Sequence, residues 1–467
     1  MVSSDQGGGL MLADLFTEPV AGLDEALAVV DAVDRALVSG LLRPQQAQIA
    51  CLTQLADAMA GSPLAGRVAE AAEKAAAGVA GEEHLLALAA ARVALAGSVH
   101  DALLAWVAEA IGRPLDEETA VVTASGESPN LLAAARSWLT DLARAGWQGI
   151  DHDLVSGAAP VISALLPEPG LRRLAALLDG FAAELAASCP GARLDRFPAR
   201  RWGDLWSRAM VLTLSGTATP VGTVTGRLLP LGVDLQEHST AAQAQVHAVF
   251  EPSDGSASRL VRASVSAPKP DTIIGAGIWQ LLRPHLSLLA AVSEGRSMDI
   301  DGMPITLEGD LLWNDEHARM GEPADAFATA RVALATATMP ATAPLDRHPA
   351  SIAVPVFLEG YDIEDESAFR VAGHRLPVDV DRIPAAGPLT PEAVAKSGAC
   401  IGLLRWDSGT FRLQPLAVET VVRKKVAALH AGAWAGGTAD KNGVKAEKAA
   451  TDAAAVLRER AGKLLRT

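Results

Sequence analysis

The residues best placed by type and spacing to do chemistry cluster in the second half of the chain. Asn314-Asp315-Glu316-His317 follows Trp313 and precedes Gly321-Glu322-Pro323. Asp315, Glu316 and His317 carry the carboxylate and imidazole donors that ligate a divalent ion or share acid and base work, the chemistry of metal-assisted hydrolysis. The competing reading is a solvated turn before a helix capped by Asp325, because adjacent ligand types need not converge on one point. Glu237-His238 and His247 would suit a metal if a strand pair set them face to face, and otherwise lie on a polar face. Asp151-His152-Asp153 reads as a helix cap. Asp271-Thr272-Ile273-Ile274-Gly275-Ala276-Gly277 resembles a dinucleotide-binding turn, but Gln280 replaces the third glycine and the surroundings read as antiparallel.

No phosphate-binding GxxxxGK[ST] loop occurs, nor a GxSxG elbow or an HExxH pair, and no cofactor is expected. Cys51, Cys189 and Cys400 are odd in number and far apart, without zinc spacing, so the chain reads as a protein of a reducing cytoplasm. A triad assembled from distant residues is not excluded by one sequence.

Two further groups suit binding rather than chemistry. Arg201, Trp202 and Trp206, with Arg200 and Arg208, make an aromatic and cationic patch. It reads either as a partner-binding hot spot, with Trp313 as a further candidate, or as helix packing against the following domain. The net charge of −15 argues against a general nucleic-acid surface. Yet residues 423–467 hold ten Lys or Arg against four Asp or Glu, so the rest of the chain stands at −21. Arg423, Lys424 and Lys425 open this basic segment. Its final helix interleaves Glu447, Asp452 and Glu459 with the cations, which favours docking on its own core or on a partner over nucleic-acid binding.

The elements that must position these residues follow from periodicity. At 467 residues and 49% hydrophobic, the chain is long enough for two or three cores, and its abundant alanine favours closely packed helices. Residues 22–188 read as consecutive helices, with Leu23, Ala26, Leu27, Val30, Val33 and Leu37 on one face. Separate helices are expected over 82–96 and 99–111, and Ser128-Pro129 opens another. Beyond 189–198 a helix over 201–214 precedes period-two patterning. Hairpins are expected from Gln243–Phe250 to Val261–Ser266 and from Ile401–Trp406 to Thr410–Leu416.

The prediction is a multi-domain chain: an all-α N-terminal bundle followed by an α+β part with antiparallel hairpins and a C-terminal helix. Its parts are a disordered tail (1–9), a helical domain (10–189), an α+β domain (199–422) and a basic linker with a C-terminal helix (423–467). Apolar runs are interrupted by charge before membrane-spanning length, so no membrane segment is expected.

The segments Arg201-Trp202-Gly203-Asp204-Leu205-Trp206, Gly309-Asp310-Leu311-Leu312-Trp313, Leu345-Asp346-Arg347-His348-Pro349 and Gly402-Leu403-Leu404-Arg405-Trp406-Asp407 carry a resemblance. Over residues 200–467 the chain resembles an uncharacterised family whose members look like actinobacterial proteins of high-GC genomes. They tend to be encoded near MoxR-type AAA+ ATPases, von Willebrand A-type proteins and SWIM zinc-finger proteins. The ATPase loop and the SWIM Cys/His pattern are both missing here, so the resemblance implies a companion of such proteins and supplies no catalytic residue. The expected function is therefore a protein-protein interaction or adaptor role, with an AAA+ ATPase or von Willebrand A-type protein as the implied partner. A metal-assisted hydrolase and a nucleic-acid binder are the alternatives.

Overall fold

Alanine-rich segments with apolar residues at three- and four-residue steps form nine helices before residue 213, among the described residues of this computed structural model. Those residues are 15, 20–116, 124–125, 128–214, 216–217, 221–238, 240–270, 272–283, 286–365, 367–407, 409–422 and 424–464. The expected tail over 1–9 lies outside them, as does Arg423. The helices are α1 (Leu23–Ala36), α2 (Gln46–Ala58), α3 (Ala65–Ala76), α4 (Glu82–Ala110), α5 (Pro129–Ala145), α6 (His152–Ser156), α7 (Ala158–Leu165), α8 (Arg172–Ala187) and α9 (Ala199–Leu212). Pro129 occupies the first turn of α5, where its missing N–H costs nothing. Asp151 caps α6 by accepting the Leu154 N–H at 2.8 Å.

Two helices were expected where α4 runs unbroken for 29 residues. Gly97 does not stop it: a glycine costs a helix only about 1 kcal/mol, and burial on both sides outweighs that. By length and composition α4 is also the one helix among the described residues that would cross a membrane. Its apolar window is 56% buried against other elements, which is the environment of a core helix. Its first half (Leu85, Leu88, Leu95) packs into the helical core with Leu52, Val68 and Leu139. Its second half (Val99, Leu103, Val107) packs into a different core with Val354, Leu404 and Leu413. One rigid element thus joins both regions, and the expected division at 189–198 does not separate independent cores. The helix expected within the α+β domain, α9, instead buries Trp202, Trp206 and Met210 in the helical core.

The sheet-rich region begins after the short β1 (Ala124–Ser125) and β2 (Gly216–Thr217), which pair with each other. Its first sheet comprises β3 (Val221–Glu237), β4 (Ala241–Pro252), β5 (Arg259–Pro268), β6 (Arg296–Thr306), β7 (Asp310–Leu311) and β8 (Ala318–Pro323), in the order β3-β4-β5-β7-β6-β8. Since β3 also pairs with β6, the sheet closes on itself and β8 hangs on the outside of β6. Its apolar face carries Val246, Ala248, Val261 and Ala263, covered by α10 (Ala276–Leu282) and α11 (Leu286–Glu294). The first expected hairpin is present, with Phe250 opposite Arg259.

After α12 (Ala326–Val332), capped by Asp325 as expected, come β9 (Ala353–Glu359) and a small antiparallel sheet of β10 (Asp362–Asp365), β11 (Ala368–Val371) and β12 (His374–Pro377). Then follow α13 (Pro391–Val394), β13 (Ser397–Asp407), β14 (Thr410–Val422) and β15 (Lys425–His430), and the last three strands join β9 in the order β15-β14-β13-β9. The second expected hairpin is β13–β14, with Leu404 opposite Leu413. Residues 425–430, expected in a linker, form the edge strand β15 because alternate residues continue the β14 ladder. Gly232 allows the two larger sheets to touch: a Cβ there would lie 2.7 Å from the Leu416 Cβ on β14. The chain's described part ends with α14 (Lys441–Leu464).

Candidate functional site

The candidate residues read from sequence do not assemble as expected. Asp315, Glu316 and His317 form one 3-10 turn capped by Asn314. Their donor atoms are directed to separate local partners. Asp315 accepts bonds from Ser287 and from Trp313 Nε1 (2.8 Å), while His317 Nδ1 lies 2.7 Å from the Asp301 carbonyl oxygen. Among the described residues no three His, Cys, Asp or Glu are grouped to hold a metal ion, so the metal-site reading of this segment is corrected to a turn. Glu237 lies opposite Ala242, not His247, and pairs with Lys269 at 3.3 Å. Gly275, in the glycine-rich turn, precedes the seven-residue α10 beside antiparallel strands, without the βαβ setting a pyrophosphate needs.

The hot-spot reading of Trp202 and Trp206 is also corrected. Each is only 1% exposed, so neither can insert into a partner. Trp202 stands edge-on to Trp147 at 5.7 Å, and Trp206 Nε1 donates to the Leu139 carbonyl at 2.9 Å. Arg201 remains at the surface, bound to Glu184 at 2.9 Å. Trp313 is half-buried against the first sheet's core. Lys424 and Lys425 are exposed at the β14–β15 turn, and Lys424 has a left-handed backbone (φ 68°).

Three of the four segments behind the family resemblance do meet in space. Arg201 and Asp204 on α9, His348 and Pro349 after the 344–346 turn, and Trp406 and Asp407 at the end of β13 line one cleft of about 880 Å³ between the helices and the second sheet. Its floor is a buried ion pair: Arg92 Nε and Nη2 donate to the two Asp34 oxygens at 2.6 and 2.8 Å, and Nη1 donates to Ser207 Oγ at 3.1 Å. Both partners are 1% exposed. Burial pushes the Asp34 carboxyl up to about 6 against the pull of Arg92. For Arg92, burial opposes the charge, but the bonds and charge of Asp34 outweigh it and hold the guanidinium more firmly protonated.

The segment around 345–349 clips the cleft shut on one side. Asp346 pairs with Arg173 on α8 (2.7 Å) and lies 3.8 Å from Arg208 on α9. Arg347 pairs with Asp101 on α4 (3.1 Å). Arg208 binds Asp204 at 2.9 Å, and Arg200 binds Asp31. Each arginine in the wall therefore meets a carboxylate of this same chain. The cleft's chemistry is that of a clamp between regions rather than a seat for an external anion. Sequence reasoning missed Asp34 and Arg92, although a signal existed: each is a charged residue at an apolar-face position of its helix, which requires a buried partner.

One surface that stays open is on α14. Its first half is held to the body by Arg283–Glu447, by Gln280 Nε2 to the Glu447 carbonyl (3.0 Å) and by the same amide to Thr451 Oγ1 (3.1 Å). Beyond Thr451 the apolar stripe continues through Ala453, Val456 and Leu457, and Val456 is 46% exposed. Residues 452–464 extend roughly 20 Å at 1.5 Å per residue.

Compared with known proteins, the chain matches no family model, no curated protein and no solved structure.

Proposed function

We propose that this protein is a non-enzymatic adaptor that binds another protein through the outer half of α14. The observation that carries this reading is the uncovered apolar stripe of that helix beyond Thr451. An isolated helical stretch of this length is marginal in water, and an amphipathic stripe gains its stability by lying in an apolar groove. Interleaved Lys448, Asp452, Arg458, Glu459 and Lys463 flank the stripe, a pattern that suits a protein rim of mixed charge better than a phosphate backbone.

The clamp supports the same reading from the other end. Because α4 and the 345–349 segment tie the helices to the sheets, a load or partner held at α14 is held relative to the whole body. Its three cysteines are free thiols, in keeping with a reducing cytoplasm. The family resemblance nominates the partner: a MoxR-type AAA+ ATPase or a von Willebrand A-type protein from the same genome.

Calorimetric titration of the full chain against each of those two purified proteins tests the proposal. A saturable complex is expected with one of them, lost when the chain is truncated after Thr451 or when Val456 and Leu457 are both replaced by Asp. Undiminished binding by the truncated chain, or no complex with either protein, overturns it.

A further inference from the structure

The polar face of the first sheet holds a feature that the clamp and the C-terminal helix leave unused. On β3, β4 and β5, Asp234 lies opposite Gln245, His247 opposite Gly232, and Arg262 opposite His247. Directly opposed residues share a face, and so do residues two apart, so Asp234, Gln245, His247 and Arg262 stand together. The opposite face, with Val246, Ala248, Val261 and Ala263, is the apolar core. Alternation alone thus aims four polar side chains away from that core toward the segments at 350–353 and 381–386.

Among the described residues, two atoms in this set are buried without a hydrogen-bond partner: His247 Nε2 and Arg262 Nε. His247 is 1% exposed. Arg262 Nη2 donates to Asp310 (2.8 Å) and the Glu308 carbonyl (3.2 Å). Both side chains line one small cavity of about 70 Å³, together with His100, Glu308 and Ser351. That cavity adjoins a larger groove of about 670 Å³, sharing with it Arg262, Ser351 and Ala353. The groove's inner wall is Asp234, held by Arg405 Nη2 (2.7 Å), Gln414 Nε2 (2.7 Å) and Gln236 Nε2 (3.0 Å).

Buried polar atoms are paired in nearly all folded proteins, and a pair of orphans facing one cavity marks a place where a partner belongs. The Arg262 Nε–H is a fixed donor, and a neutral imidazole with its proton on Nε2 is a second. We propose that the small cavity receives the carboxylate of a small organic acid, and that the adjoining groove holds the remainder of the molecule. The carboxylates of Asp234, Glu237 and Glu308 in the surrounding walls disfavour a phosphate dianion, whereas a monoanionic head needs only the donors present. The 70 Å³ cavity admits a head group of a few atoms and not a ring, so the bulk of the ligand must lie in the groove.

Imidazole ¹⁵N spectra of the full-length, histidine-labelled chain test this with acetate, succinate and inorganic phosphate as probes, at constant ionic strength and neutral pH. The expected result is a saturable shift of the His247 signal with acetate or succinate and a weaker response to phosphate. Arg262→Gln is expected to weaken the carboxylate affinity about tenfold or more. The wild-type spectra decide the matter even if that variant folds poorly. A His247 signal unmoved by either carboxylate, or one moved by phosphate in preference, overturns the proposal. So does equal carboxylate binding by a folded Arg262→Gln chain. None of these readouts depends on α14, so this site and the adaptor role stand or fall separately.

Discussion

Each region of the molecule is built around one buried arginine-carboxylate pair, and the two pairs are finished differently. In the helical region Asp34 receives its bonds, among the described residues, from Arg92 alone, and burial, with Asp31 and Asp204 nearby, drives its carboxyl up to about 6. Between the sheets Asp234 is buried too. Burial again acts to raise it, but Arg405 and then the amides of Gln414 and Gln236 bring it below its ordinary value. The first pair is a closed unit whose members depend on each other. The second belongs to a wider polar face that still has orphaned atoms at His247 and Arg262. The first carboxylate has its partner inside the fold and is built to hold, whereas the polar face around the second leaves His247 and Arg262 beside a cavity that has room for something else.

Breaking the closed pair should cost most. Arg92→Met leaves Asp34 without a donor in the helical core, and urea unfolding is expected to show a loss of about 3–5 kcal/mol. A loss below about 1 kcal/mol would dissolve the distinction between the pairs. Arg405→Met should cost less, about 2–3 kcal/mol in the same measurement, because two amide donors remain on Asp234. A larger loss than that of Arg92→Met would reverse the comparison.

The third prediction sharpens it through pH. Burial, opposed by Asp234 and reinforced by Arg262 and Arg405, pushes the His247 imidazole down to about 3 from an ordinary 6.5. The unfolded chain therefore takes up a proton between pH 6.5 and 3 that the folded chain refuses. This contribution to stability is complete above pH 6.5 and falls away as the pH drops through that window. Unfolding titrations at stepped pH should show the wild type losing about 1.4 kcal/mol per pH unit relative to His247→Gln below pH 6. Parallel curves would place His247 in contact with solvent.

The smallest effect is expected at the C-terminus. Truncation after Thr451 should change thermal unfolding by no more than about 0.5 kcal/mol, since the bonds that join α14 to the body come from Glu447 and Thr451. A large loss would show that the outer half of the helix stabilises the body.

Much of the element layout was legible in the residues, because local periodicity and caps are local physics. Pro129, Asp151 and Asp325 marked helix starts correctly, and the β4–β5 and β13–β14 hairpins followed from alternation. The 17-residue β3 was not singled out. Gly222, Gly226, Pro230 and Gly232 interrupt its pattern, and the strand accommodates them with bulges after Val224 and Pro230. Trp202 and Trp206 illustrate the opposite failure: their spacing put them on one face, but nothing in the spacing says whether that face meets solvent or another helix. Of the candidate site, Arg201, Asp204, His348 and Asp407 were visible as motif residues, while their meeting in one cleft was not.

By itself the sequence determined what short-range forces decide: helices first, antiparallel hairpins after, an acidic body and a basic final segment. Turn chemistry and side-chain periodicity act over a few residues and need no knowledge of the rest of the chain. Tertiary structure decided which polar residues face each other. Arg92 finds Asp34 across 58 positions and Arg405 finds Asp234 across 171, and although the β4–β5 hairpin sets His247 opposite Arg262, only the packing of the 350–353 segment over them buries both beside one cavity. Burial and pairing of charges depend on the desolvation of a whole neighbourhood, and a neighbourhood exists only once the chain has folded.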